Sequence, residues 1–340
     1  MTRRSARIVG ATLLGTALLA PVAPVHANTG PCTKVGAVRT VKQVLYTCTK
    51  TGKRLVWRRT VDPIASLVVP RTAGVKRAGS EGPAVARVVL RSSANGISFD
   101  PGSDSVMDQA GVPNLLATSD GALYAYYQDW ANGNVMGVAV TRNGVRTNYL
   151  VKIDGIDATS MPQGVDPSAV QLSDGRIRLY WMMARGAPGM SRIYSATSSI
   201  GAGNGIVFTY DGGTAFDPGA MLFDPTVVRT ATGWSMWVDR GGTAQHATST
   251  DGLRFVAADN TVFPNPATFP WGAVALPDGR IRVVASIRGP GGADGLLFES
   301  TDGGRSYVQI GSGLVPPGAP GDTGIAYLNG TWWLLNSERM

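Results

Sequence analysis

The chain contains 340 residues with a formal net charge of +8, and 44 of its residues are glycine and 21 are proline. The acidic residues are 20 aspartates and only three glutamates, Glu81, Glu299 and Glu338. Aspartate and glycine favour turns, whereas glutamate favours helix interiors, so a mainly helical protein is excluded. The two histidines, His26 and His246, and the two cysteines are too few for a multi-histidine or cysteine-rich metal site.

Residues 1–27 have the pattern of a secretory signal peptide. A basic start with Arg3 and Arg4 precedes an apolar run from Ile8 to Ala20, and Ala27 is the small residue before the expected cleavage point. The alternative is an uncleaved membrane anchor, which the short apolar run and its two following prolines disfavour. We therefore expect a secreted protein that is extracellular or associated with the cell wall.

Residues 28–60 form a small basic segment. Cys32 and Cys48 would close a loop of 17 residues, and export permits that disulfide. The pentapeptides that begin at the two cysteines echo each other, and Val41–Tyr46 and Leu55–Trp57 are predicted strands. These features predict a disulfide-stapled β-hairpin. The pattern resembles a Cys-x3-Gly…Tyr-x-Cys-x3-Gly…Trp module of secreted actinobacterial proteins. Residues 61–84 are predicted to be a linker, because prolines and small residues are scattered through them.

The charge of the chain is concentrated in that basic segment. Residues 28–60 carry eight lysines and arginines and no acid, whereas residues 61–340 carry 20 basic and 23 acidic residues. One interpretation is that residues 28–60 retain the protein on an anionic cell-envelope polymer. The alternative is a solvated basic patch without a partner.

A repeated unit occurs five times in the remainder of the chain. Each copy has a β-type run, a tight turn that contains glycine, and a second run with aromatic residues. Asp-Gly and Asn-Gly are strong hairpin turns because both positions tolerate positive φ. The turn glycines are separated by 54, 58, 46 and 51 residues. They are Gly121, Gly175, Gly233, Gly279 and Gly330.

A second unit alternates with the first and has the form Ser/Thr-x-Asp/Asn-Gly followed by an aromatic or β-branched residue. Copies begin at residues 93, 141, 249 and 300, and a degenerate copy contains Asn204-Gly205. Five inner and five outer hairpins predict an all-β fold, a five-bladed β-propeller over residues 85–340. Because this region begins with an outer hairpin and ends with an inner one, the two ends are predicted to complete one blade.

The signature Ser-x-Asp-x-Gly-x-x-aromatic, clearest at Ser300–Tyr307, resembles the Asp-box of sialidase-type propellers. Five blades, with Asp-Pro opening two inner strands, resemble glycoside hydrolase family 43. These resemblances imply a glycoside hydrolase or hydrolase-like protein that acts on extracellular polysaccharide or glycan. The Asp-box side chains are expected to stabilise turns by accepting backbone N–H groups. They are Asn95, Asn143, Asp251 and Asp302.

Three aspartates are the candidate catalytic residues. Asp166 and Asp224 each lie nine residues before a turn glycine, at equivalent places on adjacent blades, and Asp322 lies one position off that register. Glycosidic cleavage needs a carboxylate as base or nucleophile and a protonated carboxyl as acid. The family resemblance implies that Asp166 is the base or nucleophile and Asp224 an orienting carboxylate. Asp322 is the candidate acid, because Pro270-Trp271-Gly272 occupies the strand start where the family has a glutamate.

The alternative for Asp166 and Asp224 is that they cap the entrances of their strands. The connections between second and third strands, together with strand starts at the same end, add substrate-binding candidates. An axial mouth lined by aspartate and arginine suits a polar or anionic sugar, and tryptophan stacks on sugar rings. Three of the arginines also match the arginine triad of sialidases, although no Tyr–Glu pair can be placed. The candidates are Asp129, Trp130, Arg185, Arg240, Trp271 and Arg288.

We predict no cofactor, because the aspartates lack the ligand spacing that would support a Ca²⁺ ion at the axis. We also expect a monomer and no nucleic-acid partner. Two other functions stay open. One is a non-catalytic propeller that binds envelope glycan or protein through the same face, which the missing glutamate favours. The other is a structural envelope protein, which rests on the basic segment alone. The sugar and the linkage stay open.

Overall fold

The computed structural model describes residues 30–35, 37–41, 44–59, 64–70, 85–101, 104–156, 165–184, 191–240, 244–258, 263–287, 294–314 and 322–340. The predicted signal peptide lies outside these residues. The chain divides into two compact units, which meet in sequence between residues 62 and 63. Within the described ranges no helix is both long enough and apolar enough to span a bilayer. The exact domain boundaries stay predictions.

The first unit is a small antiparallel sheet held by a disulfide. Cys32 and Cys48 are bonded, with 5.4 Å between their Cα atoms, so the predicted disulfide is confirmed. The Nε1 of Trp57 donates a hydrogen bond of 3.0 Å to the carbonyl of Gly30, which ties the start of the unit to its last strand. The predicted hairpin is formed by the second and third strands, and a further strand precedes it. The strands are β1 (Val38–Val41), β2 (Val44–Thr51) and β3 (Arg54–Arg59), in the order β1-β2-β3.

The second unit is a ring of five antiparallel blades, so the predicted five-bladed propeller is confirmed. The innermost strand of each blade contacts the innermost strands of both neighbouring blades. The first two strands are β4 (Ala86–Ser93) and β5 (Asp104–Asp108). Blade 1 follows, with β6 (Ala110–Ala117), β7 (Leu123–Asp129), β8 (Val135–Arg142) and β9 (Val145–Leu150). Blade 2 contains β10 (Lys152–Asp154), β11 (Val165–Gln171), β12 (Ile177–Ala184), β13 (Ser191–Ser198) and β14 (Val207–Tyr210).

The other three blades complete the ring. In blades 1, 3 and 4 the innermost strand comes first in chain order and the outer strands follow it, whereas the outer strands of blade 5 come from the start of the propeller. Blade 3 contains β15 (Phe223–Thr230), β16 (Gly233–Asp239), β17 (Ala244–Ser249) and β18 (Val256–Ala257). Blade 4 contains β19 (Thr268–Ala275), β20 (Ile281–Ile287), β21 (Leu296–Ser300) and β22 (Val308–Gly311). Blade 5 contains β23 (Thr323–Leu328), β24 (Thr331–Arg339), β4 and β5.

Blade 5 joins the two ends of the propeller, as predicted. β24 pairs antiparallel with β4 over the full length of the latter, from Trp332 opposite Ser93 to Arg339 opposite Ala86. The N–H of Met340 adds a hydrogen bond of 2.7 Å to the carbonyl of Val85. This pairing covers edges that would otherwise be exposed on both strands.

The apolar core lies between blades, because each blade buries both faces against its neighbours. Tyr180 of blade 2 contacts Phe255 of blade 3 edge to face, with 5.8 Å between ring centroids. Trp237 of blade 3 contacts Tyr307 of blade 4 in the same way, at 6.1 Å. Trp181 is fully buried in the cluster between blades 1 and 2. Aromatic residues at second-strand positions thus pack the blades together.

In blades 3, 4 and 5 the turns between third and fourth strands are closed by aspartate or asparagine side chains. Asp302 Oδ1 accepts the backbone N–H groups of Arg305 and Ser306, at 2.9 and 3.0 Å. Asp251 Oδ1 accepts the N–H of Leu253 at 2.7 Å, and Asn95 Oδ1 makes the same kind of contact in blade 5. These side chains satisfy backbone donors that the tight turns leave unpaired.

Part of the segment predicted as a linker packs on the propeller. Ile64 is buried among the apolar side chains between blades 1 and 2, with Leu67 packed at its edge. The N–H of Val69 donates 2.9 Å to the carbonyl of Asn148 on β9. Residues 64–70 therefore occupy a groove on the outside of these two blades.

Candidate functional site

The inner strands of blades 1, 2 and 3 each begin with a β-bulge at an X-Pro dipeptide. In each strand two residues oppose a single residue of the neighbouring strand. The first bulge residues are Val112, Asp166 and Asp224, with φ of 48°, 57° and 49°. Positive φ is uncommon outside glycine, and a bulge re-aims the side chain that carries it. The two Asp-Pro motifs therefore lie at bulges, which change the direction of the aspartate side chains at one end of the ring of inner strands.

Asp322 lies in the same layer as Asp166 and Asp224. The inner strands can be aligned by the residue two positions later in the chain, at which each inner strand contacts the inner strand of the next blade. The Oγ of Ser168 accepts the backbone N–H of Val227 at 3.0 Å, and the Oδ1 of Asn114 accepts the backbone N–H of Ala169 at 2.9 Å. Gly324 takes this position in blade 5, since a β-carbon on it would lie 2.5 Å from the amide nitrogen of Leu115.

The offset predicted for Asp322 is therefore wrong. Counting residues back from the turn glycine gives equivalent positions only if the turns between first and second strands have equal lengths. The turn between β23 and β24 has two residues, whereas the turn between β11 and β12 has five. When the strands are aligned by their contacts with the next blade, Gly324 corresponds to Ser168. Asp322 then corresponds to Asp166, because each lies two residues before the contact. Blades 2, 3 and 5 thus each present an aspartate at the same end of their inner strand.

Asp166 is a buried carboxyl group whose pKa is raised. Only 8% of the residue is exposed. Its Oδ2 accepts the backbone N–H of Asp224 at 3.2 Å, so the two motifs are in direct contact across the blade boundary. Burial raises the pKa of Asp166 to about 6, against the opposing effect of that hydrogen bond. A carboxyl group with this pKa exchanges its proton near neutral pH, as general acid–base catalysis requires.

Asp224 and Asp322 are both half-buried. Among the described residues no group of three or more His, Cys, Asp or Glu side chains is arranged to hold a metal ion. Pro270-Trp271-Gly272 opens the central part of β19, and its bulge contains tryptophan instead of a carboxylate. The structure therefore brings Asp166 and Asp224 together and adds Asp322 in the same layer of blade 5.

The described glutamates lie away from the starts of the inner strands. Glu299, on β21, binds Arg282 at 2.7 Å and Arg280 at 3.0 Å. Glu338, near the end of β24, pairs with Arg91 and Arg87 of β4. Both carboxylates join neighbouring strands of their blades. Glu81 lies outside the described residues.

Asp129 lies at the start of the connection between β7 and β8, where it is buried, and not on the exposed surface at the end of the ring. The residue is fully buried, and its carboxylate accepts the N–H of Asn132 at 3.1 Å and the Nδ2 of Asn132 at 2.7 Å. Burial raises its pKa. These contacts shape the connection between β7 and β8. The predicted role of Asp129 in substrate binding stays a prediction, and its geometry is that of a turn residue.

The two tryptophans predicted to meet a sugar are half-buried. The ring of Trp130 lies against Gly111, where a β-carbon would be only 2.6 Å from the ring. Trp271 donates from Nε1 to Ser286 Oγ at 2.5 Å and stands edge-on to Phe269, 4.9 Å between centroids. Each ring is therefore held in a fixed orientation by its own blade.

The predicted arginines are only partly described. Arg240 is exposed and follows β16 directly, at the end of the propeller where Asp224 lies. Arg185 and Arg288 lie outside the described residues, so the predicted triad stays a prediction.

Phe223 is a candidate that the sequence analysis missed. It is the first residue of β15, it precedes Asp224, and 37% of it is exposed. It lies opposite Asp239 at the end of β16. An exposed phenylalanine beside a candidate catalytic motif offers a face for a sugar ring. The signal in the sequence was the order Phe-Asp-Pro, an apolar residue directly before the strained aspartate.

No protein-family model matches the chain, and no curated protein matches it. Among solved structures, a protein of unknown function from Dyadobacter fermentans is similar at 16% identity and a TM-score of 0.51, over 87% of this chain and 91% of that one. RS223-Beta-xylosidase is similar at 14% identity and a TM-score of 0.50, over 68% and 91%. A thermostable family-43 glycoside hydrolase shares 15% identity over 63% and 78%, with a TM-score of 0.41. At these identities the likeness shows the fold alone.

Proposed function

We propose that this protein is a glycoside hydrolase that acts on an extracellular glycan at the end of the ring where its three aspartates lie. The observation that carries the proposal is Asp166, a buried carboxyl group with its pKa raised to about 6, in contact with the Asp-Pro motif of the next blade. The fold shared with RS223-Beta-xylosidase supports the choice of a glycan as substrate. The exposed Phe223 and Arg240 at this end suit a polar or anionic sugar.

The proposed reaction assigns one role to each aspartate. Above its pKa, Asp166 is ionised and removes a proton from a water molecule whose oxygen attacks the anomeric carbon. Asp322, in its protonated form, gives its proton to the leaving glycosidic oxygen as the C–O bond breaks. Asp224 orients Asp166 through its N–H group. Because water attacks the anomeric carbon directly, this reaction inverts the configuration of that carbon.

The proposed location is outside the cell, where the disulfide between Cys32 and Cys48 persists. The first unit supports retention on an anionic envelope polymer. Its lysine and arginine side chains include several that are exposed, and its described residues contain no acid to neutralise them. The exposed basic side chains are Lys34, Lys50, Lys53, Arg54 and Arg58.

A glycan panel tests the activity. The purified full chain is incubated with arabinan, xylan, fructan and sialylated substrates, and released sugar is measured. Asp166→Asn is expected to lower turnover by about 10²–10⁴-fold on whichever glycan is cleaved. Asp174→Asn is the matched control, because Asp174 lies in the exposed turn of the same blade, and we expect it to leave turnover unchanged. Equal activity of Asp166→Asn and the unmodified chain would contradict the proposed role of Asp166.

The second candidate is a non-catalytic propeller that binds glycan through the same face. It is favoured by the position of the described glutamates, both of which are engaged in ion pairs away from the inner-strand starts. Retention of a glycan by both the unmodified chain and Asp166→Asn, with turnover by neither, would replace the hydrolase with this binding protein.

A further inference from the structure

A groove of about 470 Å³ lies between blades 3 and 4, at the end of the propeller opposite the three aspartates. It is formed where the β15–β16 turn, the β17–β18 turn and the β21–β22 turn meet. This volume falls in the range of small-molecule sites. Hydroxyl groups line much of it, among them those of Thr230, Thr232 and Thr248. No carboxylate is among the lining residues.

Two arginines, Arg254 and Arg305, border the groove. The guanidinium of Arg254 is fixed, because it donates 2.8 Å hydrogen bonds to the carbonyls of Leu253 and Gly212. Gly213 permits this approach, since a β-carbon there would lie 2.7 Å from Nη2 of Arg254. Arg305 is exposed on the opposite side of the groove.

Neither arginine forms an ion pair with the aspartates of the same turns. Asp251 and Asp302 belong to the two turns, but their Oδ1 atoms accept backbone N–H groups of their own turns. Hydrogen bonds from Ser306 hold the pKa of Asp302 below its usual range, so it stays ionised and engaged. Within the described ranges, no ion pair includes Arg254 or Arg305. The groove therefore presents two cations and several hydroxyls to whatever enters it.

A groove between blades 1 and 2 differs in its charge balance. Its volume is about 370 Å³, and Ile64, Tyr124 and Val140 line it together with Arg142. Arg142 is paired with Asp120. The groove between blades 3 and 4 instead combines threonine hydroxyls with two guanidinium groups that form no ion pair among the described residues. Its chemistry suits a hydroxyl-rich ligand with a negative charge, because guanidinium binds carboxylate and phosphate oxygens in pairs of hydrogen bonds.

We propose that the groove between blades 3 and 4 is a second binding site, which takes a saccharide that carries a carboxylate or a phosphate group. Arg254 and Arg305 bind the anionic group, and the threonine hydroxyls bind the hydroxyls of the sugar. The site is independent of the proposed hydrolase activity. It would hold an acidic glycan chain on the protein while the opposite end stays open.

Calorimetric titration of the full chain tests this site with three probes: trigalacturonic acid, a trimer of glycerol phosphate, and neutral galactotriose. We expect at least one acidic probe to bind and the neutral one to bind more weakly. Arg305→Gln removes a charge-assisted pair of hydrogen bonds and is expected to weaken acidic-probe binding by about tenfold or more. Arg305→Lys keeps the charge and should retain part of the affinity. The acidic probe that binds distinguishes carboxylate from phosphate.

A further variant separates this site from other positive charge. Arg176→Gln removes an arginine from the same end of blade 2, and it should bind the acidic probe as the unmodified chain does. Thermal unfolding of each variant verifies that it is folded. If neither acidic probe binds, the proposal is overturned. Equal weakening by Arg305→Gln and Arg176→Gln overturns it as well.

Discussion

At the scale of single residues, the strained backbone and the chemistry of the site have separate origins. Val112, Asp166 and Asp224 share positive φ and a following proline, so the bulge is a property of the inner strands of three blades. Val112 carries no ionisable group, and strain alone is therefore no evidence for catalysis. What distinguishes Asp166 is its burial and its contact with Asp224, which together determine when it ionises.

Asp166→Asn should stabilise the protein at pH 8 and not at pH 4. The pKa is raised from 3.8 to about 6, so the folded protein holds this proton more tightly than the unfolded chain does. The resulting stability is fully present below about pH 4 and is lost as pH rises through about 6, by up to about 3 kcal/mol. Asparagine has no such loss, and its oxygen still accepts the N–H of Asp224. Urea unfolding at both pH values measures the difference.

Asp174→Asn is again the control, because the exposed Asp174 has no buried ionisation to remove. Its free energy of unfolding should not rise between pH 4 and pH 8 relative to the unmodified chain. A variant Asp166→Asn that is less stable than the unmodified chain at pH 8 would show that the ionised carboxylate is stabilised in place. The raised pKa would then be wrong.

At the scale of elements, adjacent blades are joined by arginines that reach across the boundary. Arg282 on β20 lies over the ring of Trp332 in blade 5, with 4.0 Å between the guanidinium carbon and the ring centroid. It also binds Glu299 of its own blade at 2.7 Å. Arg178 on β12 makes the equivalent contact with Trp234, at 5.7 Å, and donates 2.8 Å to the carbonyl of Asp251. The repeated arrangement places a mostly buried guanidinium against an aromatic ring at two blade boundaries.

Arg282→Gln is expected to cost about 2 kcal/mol or more of unfolding free energy. The side chain is mostly buried, and the change removes both the ion pair and the cation–π contact. Arg280→Gln is the matched control, because Arg280 binds the same Glu299 but is 39% exposed. It should cost less unfolding free energy than Arg282→Gln does, because solvent screens an exposed ion pair. Equal losses in denaturant titrations would mean that Glu299, and not the blade boundary, is the sensitive group.

The sequence predicted the blades well and the register of the inner-strand aspartates less well, for a physical reason. Turns such as Ser173-Asp174-Gly175 need specific residues at fixed places, so they are visible in a sequence. The position of Asp322 depends on the length of a turn and on which residue contacts the next blade. Gly324 carries no side-chain signal for that contact, although a β-carbon there would strike the backbone of Leu115. The burial of Asp129 likewise depends on the folded loop that surrounds it.

At the scale of the whole molecule, charge is divided between the two units. The basic residues of the propeller commonly pair with acids: Arg142 binds Asp120, Arg176 binds Asp174, and Arg192 binds Asp217. The lysines and arginines between residues 28 and 60 have no acid in that stretch of sequence. Paired charges largely cancel beyond about 10 Å in physiological salt. Outside the groove with Arg254 and Arg305, the attraction of the protein for an anionic polymer should therefore come from the first unit and not from the total charge of the protein.

Two triple variants with the same change in total charge separate these possibilities. One replaces Lys50, Lys53 and Arg54 with glutamine, and the other replaces Arg142, Arg176 and Arg192. On a dextran sulfate resin we expect only the first variant to elute at clearly lower salt, because only it removes unpaired, exposed cations. Equal shifts of the two variants would instead assign retention to net charge. The basic segment would then be a solvated patch, and residues 28–60 would have no role in holding the propeller near its glycan.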